Sequence, residues 1–165
     1  MVDYVSIENT LNKLDGLYNS SLDTQMVILY SKLAVLELCG WIETSVDIVL
    51  FEYVDTHIVN IENKNKINGI IKKNHGFDYK SNIFPLFCSV IGINNLENIL
   101  DKITDTDLQN LISLSDTYTQ ERNKAAHTDT PNGTTRTYSA PSNVIIDFRK
   151  IKNSIVVIES EIQRI

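Results

Sequence analysis

The sequence is poor in the residues that break or staple a chain. It holds 2 cysteines, 3 prolines and 6 glycines in 165 residues. Two cysteines cannot build a disulfide scaffold at this length. Cys39 and Cys88 sit in the apolar stretches LELCGW and PLFCSV and read as reduced core thiols. Few prolines and glycines leave few interruptions, which favours long helices over many short strands. Long unbroken apolar runs are also missing. The most apolar stretch, residues 26–54, is interrupted by Lys32, Glu37, Glu43, Asp47 and Glu52, which excludes a simple membrane span. Met1-Val2-Asp3-Tyr4 has neither the basic nor the apolar region of a secretion signal, so a cytoplasmic location is expected. The HExxH, CxxC, GxGxxG and Walker signatures are absent. His57 and His75 share no metal-ligand spacing with each other or with His127, so neither a metal nor a cofactor is expected.

Positive charge is scarce as well. The chain carries 15 basic and 21 acidic residues, a formal charge of −6. Taken whole, that argues against a nucleic-acid partner, because phosphate binding wants a basic surface. The distribution says otherwise. Residues 1–62 hold 10 acids and 2 bases, whereas residues 120–152 hold Arg122, Lys124, Arg136, Arg149, Lys150 and Lys152 against only Glu121, Asp129 and Asp147. A second basic run, residues 64–80, has five lysines and His75 opposed by Asp78 alone.

What is present is an ordinary globular balance, 42% apolar and 22% charged, in a chain long enough for one domain with a full core. A single domain over residues 1–165 is expected. Tyr4, Ile7, Leu11, Leu14 and Leu17 recur every three to four positions, which predicts an amphipathic helix over residues 3–18, ended by Gly16 and Asn19. Ser21 or Asp23 can cap a second, very long helix reaching Ile58, apolar around most of its circumference and therefore central. Residues 60–80 read as polar, with at most a short helix at 66–74. Ser81 or Asn82 would cap a third main helix, with Pro85 in its first turn and Gly92 at its end. A short helix around Leu96–Ile103, a long one over residues 105–126 and a last one capped by Ser142 complete the order. Asn132-Gly133 between threonine-rich arms signals a small β-hairpin within residues 128–142. The expected fold is all-α, a compact bundle of about five main helices.

The chemistry-bearing candidate is Arg122-Asn123-Lys124-Ala125-Ala126-His127, at the end of the penultimate main helix. With three histidines in the chain, an Arg and a His at this spacing arise by chance about 0.07 times. This polar group ends a buried helix and runs into a loop bearing Arg136 and Tyr138. The long second helix carries an acid within Gly40-Trp41-Ile42-Glu43-Thr44-Ser45. Glu37 and Asp47, on the same helix, compete with Glu43 as the acid nearest the motif.

With these residues in this order, the sequence resembles the HEPN superfamily, helical bundles with an R-x4–6-H motif late in the penultimate main helix. It looks closest to the HEPN proteins of prokaryotic defence and toxin–antitoxin loci. The resemblance implies metal-independent cleavage of RNA at a site shared by two protomers of a homodimer. Arg122, Asn123 and His127 would be catalytic. Glu43 and Lys124 would support them, and Arg136 and Tyr138 would touch RNA. The residue types suit that chemistry. The 2′-hydroxyl is the nucleophile and must lose a proton, while the leaving 5′-oxygen must gain one. Histidine does either near neutral pH. A guanidinium hydrogen-bonds the phosphorane in two places. The resemblance further implies an antitoxin or another defence-system protein as regulator. A non-catalytic HEPN module that binds RNA or protein is the alternative.

Overall fold

The computed structural model describes residues 1–126 and 137–165. Those residues are all-helical and form seven α-helices: α1 (Tyr4–Ser20), α2 (Thr24–His57), α3 (Ile61–Lys73), α4 (Phe84–Ile91), α5 (Ile93–Leu100), α6 (Asp105–Ala126) and α7 (Pro141–Ile162). A π-helical turn, Tyr79–Ile83, leads into α4. These seven helices stand where about five main ones are expected. The polar stretch after α2 supports a 13-residue helix, longer than the short one expected at 66–74, and the short helix expected after Gly92 stands apart from α4 across a sharp bend. Gly92 sits at that bend with φ +83°, a left-handed conformation that favours glycine. The expected hairpin centres on Asn132-Gly133, outside the described residues; residues 137–140 form no strand.

Local chemistry starts most helices. The Asp3 carboxylate accepts from the Val5 and Ser6 N–H groups, at 3.1 and 2.9 Å, and caps α1. Asp23 accepts from Gln25 at 2.8 Å and caps α2, and Asn60 accepts from Asn63 at 3.0 Å and caps α3. Thr104 Oγ1 accepts from the Asp107 N–H ahead of α6. Two expected caps are corrected. The third main helix is led by Asp78, which accepts from the Ser81 N–H at 2.8 Å, so the chain turns three residues earlier than a Ser81 cap would have it. α7 has no side-chain cap: Pro141 occupies its first turn, where a missing N–H costs nothing, and Ser142 is already inside. Gly16 does not end α1, which runs on to Ser20.

α2 is the axis of the molecule. At 34 residues it is about 51 Å long, at ~1.5 Å per residue. Ala34, Val35, Leu38, Ile42, Val49, Leu50 and Val54 are almost fully enclosed along it. α1, α3, α6 and α7 pack around it, while α4 and α5 close the side between α3 and α7. Trp41, on α2, meets Phe148 of α7 edge-on at 4.9 Å and donates its indole N–H to the Asp3 carbonyl at 3.1 Å.

One buried carboxylate ties the N-terminal segment to α7. Glu159 accepts from the Val2 N–H at 2.6 Å and from the Tyr4 hydroxyl at 2.7 Å. Burial, reinforced by this acceptor, pushes the Tyr4 phenol far above its usual range. Among the described residues no single helix is long and apolar enough to cross a membrane; only the bent pair Tyr79–Ile91 and Ile93–Leu100 passes that test together.

Candidate functional site

α6 runs alongside α2 in parallel, and two contacts fix their register. The Cys39 thiol donates to the Tyr118 carbonyl at 3.4 Å. One turn further along both helices, Arg122 Nη1 donates to Glu43 Oε2 at 3.1 Å. Both charged side chains of that pair are about 30% exposed, so it lies at the rim of the core, still in reach of solvent. Burial pushes the Cys39 thiol up to about 12, against the pull of the nearby Arg122 cation, so it stays a protonated donor.

The guanidinium has a second neighbour. Its carbon lies 4.9 Å from the centre of the Phe77 ring, which is fully buried. A ring engages the face of a guanidinium and leaves its edges free. Glu43 engages one nitrogen. Arginine has five N–H donors in a planar fork, so the arrangement holds Arg122 in one orientation while leaving donors for an anion.

Phe77 belongs to the loop between α3 and the π-helical turn, and that loop is locked. Asn74 donates through Nδ2 to the Gly76 carbonyl at 3.0 Å, and Asn82 donates to Asn74 Oδ1 at 3.1 Å. Gly76 has φ +153°, and a Cβ there would stand 2.8 Å from Asn82 Oδ1. Any side chain at this position displaces the asparagine that shapes the loop. The same loop exposes His75.

Asp47 lies one turn after Glu43 on α2. Its Oδ1 is enclosed and has no hydrogen-bond partner. Burial pushes its carboxyl up to about 6, the Glu43 charge adds to the effect, and His75 opposes it. Arg122 thus meets Glu43 and Phe77 directly, and Asp47 stands one turn further along α2, within the influence of Glu43 and His75. The acid that meets Arg122 is Glu43. Glu37 is exposed on another face of α2, in a groove against α1 with Asp3, Ser6 and Trp41.

The other expected site residues fall as follows. Asn123 is exposed at the end of α6. Lys124 is exposed beside it and pairs with Glu121 at 2.6 Å. Tyr138 is half-buried and packs against the core. His127 and Arg136 lie outside the described residues. Among the described residues, the three basic residues of α7 in this segment do not gather around Arg122. Arg149 and Lys152 reach Glu8 on α1, at 3.0 and 3.9 Å, and Lys150 pairs with Asp147 at 3.1 Å. Asp147 also accepts from the Tyr118 hydroxyl at 3.2 Å, which ties α7 to α6.

Phe77 and His75 are the members that sequence reasoning missed. Phe77 has no periodic pattern around it, and His75 reads in the sequence as part of a basic run without metal-ligand spacing. Their signal was the Asn74…Gly76…Asn82 spacing, legible only once the turn is seen. Among the described residues no group of three histidine, cysteine or acidic side chains is placed to hold a metal ion. Compared with protein-family models, with curated proteins and with solved structures, the chain gives no match.

Proposed function

We propose that this chain is a metal-independent endoribonuclease of the HEPN type that acts as a homodimer. The observation that carries the proposal is Arg122: the first residue of the R-N-x-x-A-H sequence is held by Glu43 at 3.1 Å and by the Phe77 ring at 4.9 Å, with donors left over. An arginine kept only for stability gains little from a half-exposed pair. One oriented by a ring and a single carboxylate is prepared for a doubly charged phosphorane.

In the proposed reaction the substrate 2′-hydroxyl attacks the adjacent phosphorus. Its proton passes to the imidazole of one His127, the O2′–P bond forms, and the P–O5′ bond breaks. The leaving oxygen takes a proton from the imidazolium of the partner protomer's motif. The products are a 2′,3′-cyclic phosphate and a 5′-hydroxyl. Arg122 steadies the charge on the non-bridging oxygens, and Asn123, exposed beside it, is available to ribose or phosphate. Glu43 sets the guanidinium geometry. The biological role we assign is that of a toxin or anti-phage effector in the cytoplasm, restrained by an antitoxin or another defence-system protein.

The test is cleavage of a labelled RNA in the presence of EDTA, with the cyclic phosphate identified by mass. Arg122→Ala and His127→Ala should each abolish cleavage and toxicity while leaving the helical spectrum unchanged. Undiminished cleavage by His127→Ala would remove the assignment. RNA binding without cleavage would favour the non-catalytic module.

A further inference from the structure

The basic run at residues 64–80 divides in two in the structure. Lys64 pairs with Asp55 at 3.0 Å and also donates to the Asp55 carbonyl, and Lys66 pairs with Glu62 at 3.1 Å. Those two cations are neutralised by the acidic N-terminal third. Lys80 lies near the acids Asp116 and Asp78, and its charge counters the rise that Asp78 causes in the Asp116 carboxyl. Lys72 and Lys73 differ. Both are exposed in the last turn of α3, and among the described residues neither has an ion-pair partner.

Their position relative to the site is fixed by the locked loop. Lys73 is four residues from Phe77, whose ring underlies Arg122, and two residues from the exposed His75. Four residues span at most about 14 Å. Lys73 also stands at the edge of a pocket of about 300 Å³ between α3 and α4, walled by Ser81, Asn82 and Ser89. Among the described residues, the cations of the 64–80 run that lie within chain reach of Phe77 and carry no ion pair are therefore those of the α3 C-terminus. The basic α7 residues are held on the α1 and Asp147 side.

We propose that Lys72 and Lys73, together with His75, form a path for the backbone of single-stranded RNA flanking the Arg122 site, with the α3–α4 pocket receiving a base beside it. This deepens the ribonuclease proposal and rests on it for the choice of nucleic acid. Lysine suits the task, because a mobile point charge holds a phosphate without demanding a base sequence. The dipole of α3 explains why lysines are tolerated at its C-terminus, but it needs neither of them to be free of acids.

The experiment compares two double variants with equal loss of charge, Lys72→Gln/Lys73→Gln and Lys64→Gln/Lys66→Gln. Binding of a mixed-sequence 2′-O-methyl oligoribonucleotide, which cannot be cleaved through its 2′-position, is followed by fluorescence anisotropy from low to high salt. The first pair should weaken binding about tenfold and flatten the dependence of log Kd on log salt by roughly 1.4, or ~0.7 per lost phosphate contact. The second pair should leave both nearly unchanged. Equal effects from the two pairs would show a generic charge effect and overturn the path, as would a wild-type protein that does not bind. If the path behaves as expected and unmodified RNA is not cleaved, the catalytic proposal fails while the binding surface stands.

Discussion

Glu159 and Asp47 make opposite use of a carboxylate in the same fold. Glu159, on α7, is enclosed and fully engaged, taking the Val2 N–H on one oxygen and the Tyr4 hydroxyl on the other. Asp47, on α2, has an enclosed oxygen with no donor at all. A polar group kept for stability is satisfied, because an unpaired buried acceptor costs about 1–3 kcal/mol. The Asp47 end of the molecule forgoes that satisfaction. The difference separates a carboxylate that ties two ends of the chain together from one whose burial is left uncompensated beside Glu43.

The sharpest way to test that division is to cut each side and read both stability and cleavage. Arg122→Ala should lower cleavage at least a thousandfold, the equivalent of about 4 kcal/mol, and change the melting temperature little, since its partner Glu43 can turn to solvent. Glu159→Ala should do the reverse. It strands two buried donors and should cost about 2–3 kcal/mol in urea unfolding, with activity per folded molecule retained. A Glu159 variant that unfolds no more easily than wild type would erase the contrast.

Phe77 lies on the border and should show both effects. Phe77→Leu leaves a cavity and removes the ring from Arg122, for about 1–2 kcal/mol in stability. It should also lower kcat more than it raises KM, because the arginine loses orientation and keeps its charge. An equal fall in stability with unchanged kcat would make the ring purely structural.

The smallest effect is the most particular. Asp47 has its carboxyl raised from 3.8 to about 6 in the folded chain. Its favourable contribution is therefore complete below pH 4 and is lost as pH rises through 6. Asp47→Asn should stabilise the protein above pH 6 by about 1 kcal/mol, allowing for screening by solvent, and that gain should vanish as pH falls from 6 to 4. Chemical denaturation at several pH values measures it. A variant less stable at neutral pH would show that Asp47 is structural after all.

The helices were legible to the extent that they bury a regular stripe. α2 declared itself through its apolar circumference and the Asp23 cap, and α6 through Leu108, Leu111, Ser115 and Tyr118. α3 was nearly invisible because it buries only Ile71, so its periodicity is carried by a single residue. The start of α7 was misplaced because a capping serine follows a proline that serves the first turn as well. At the site, Arg122 is legible from the sequence, but Glu43 only as one of three acids on α2, with Glu37 and Asp47, because sequence alone does not set the register of α6 on α2. The Phe77 contact was not, because it is made by a loop whose shape depends on two asparagines and the backbone of Gly76.

The two contacts that register α6 on α2 each join residues 79 positions apart. Closing a loop of that length costs about 4 kcal/mol of chain entropy, more than either contact returns by itself. The pair can persist only together with the packing of the surrounding helices. A molecule in which α6 is not packed on α2 therefore holds Arg122 apart from Glu43.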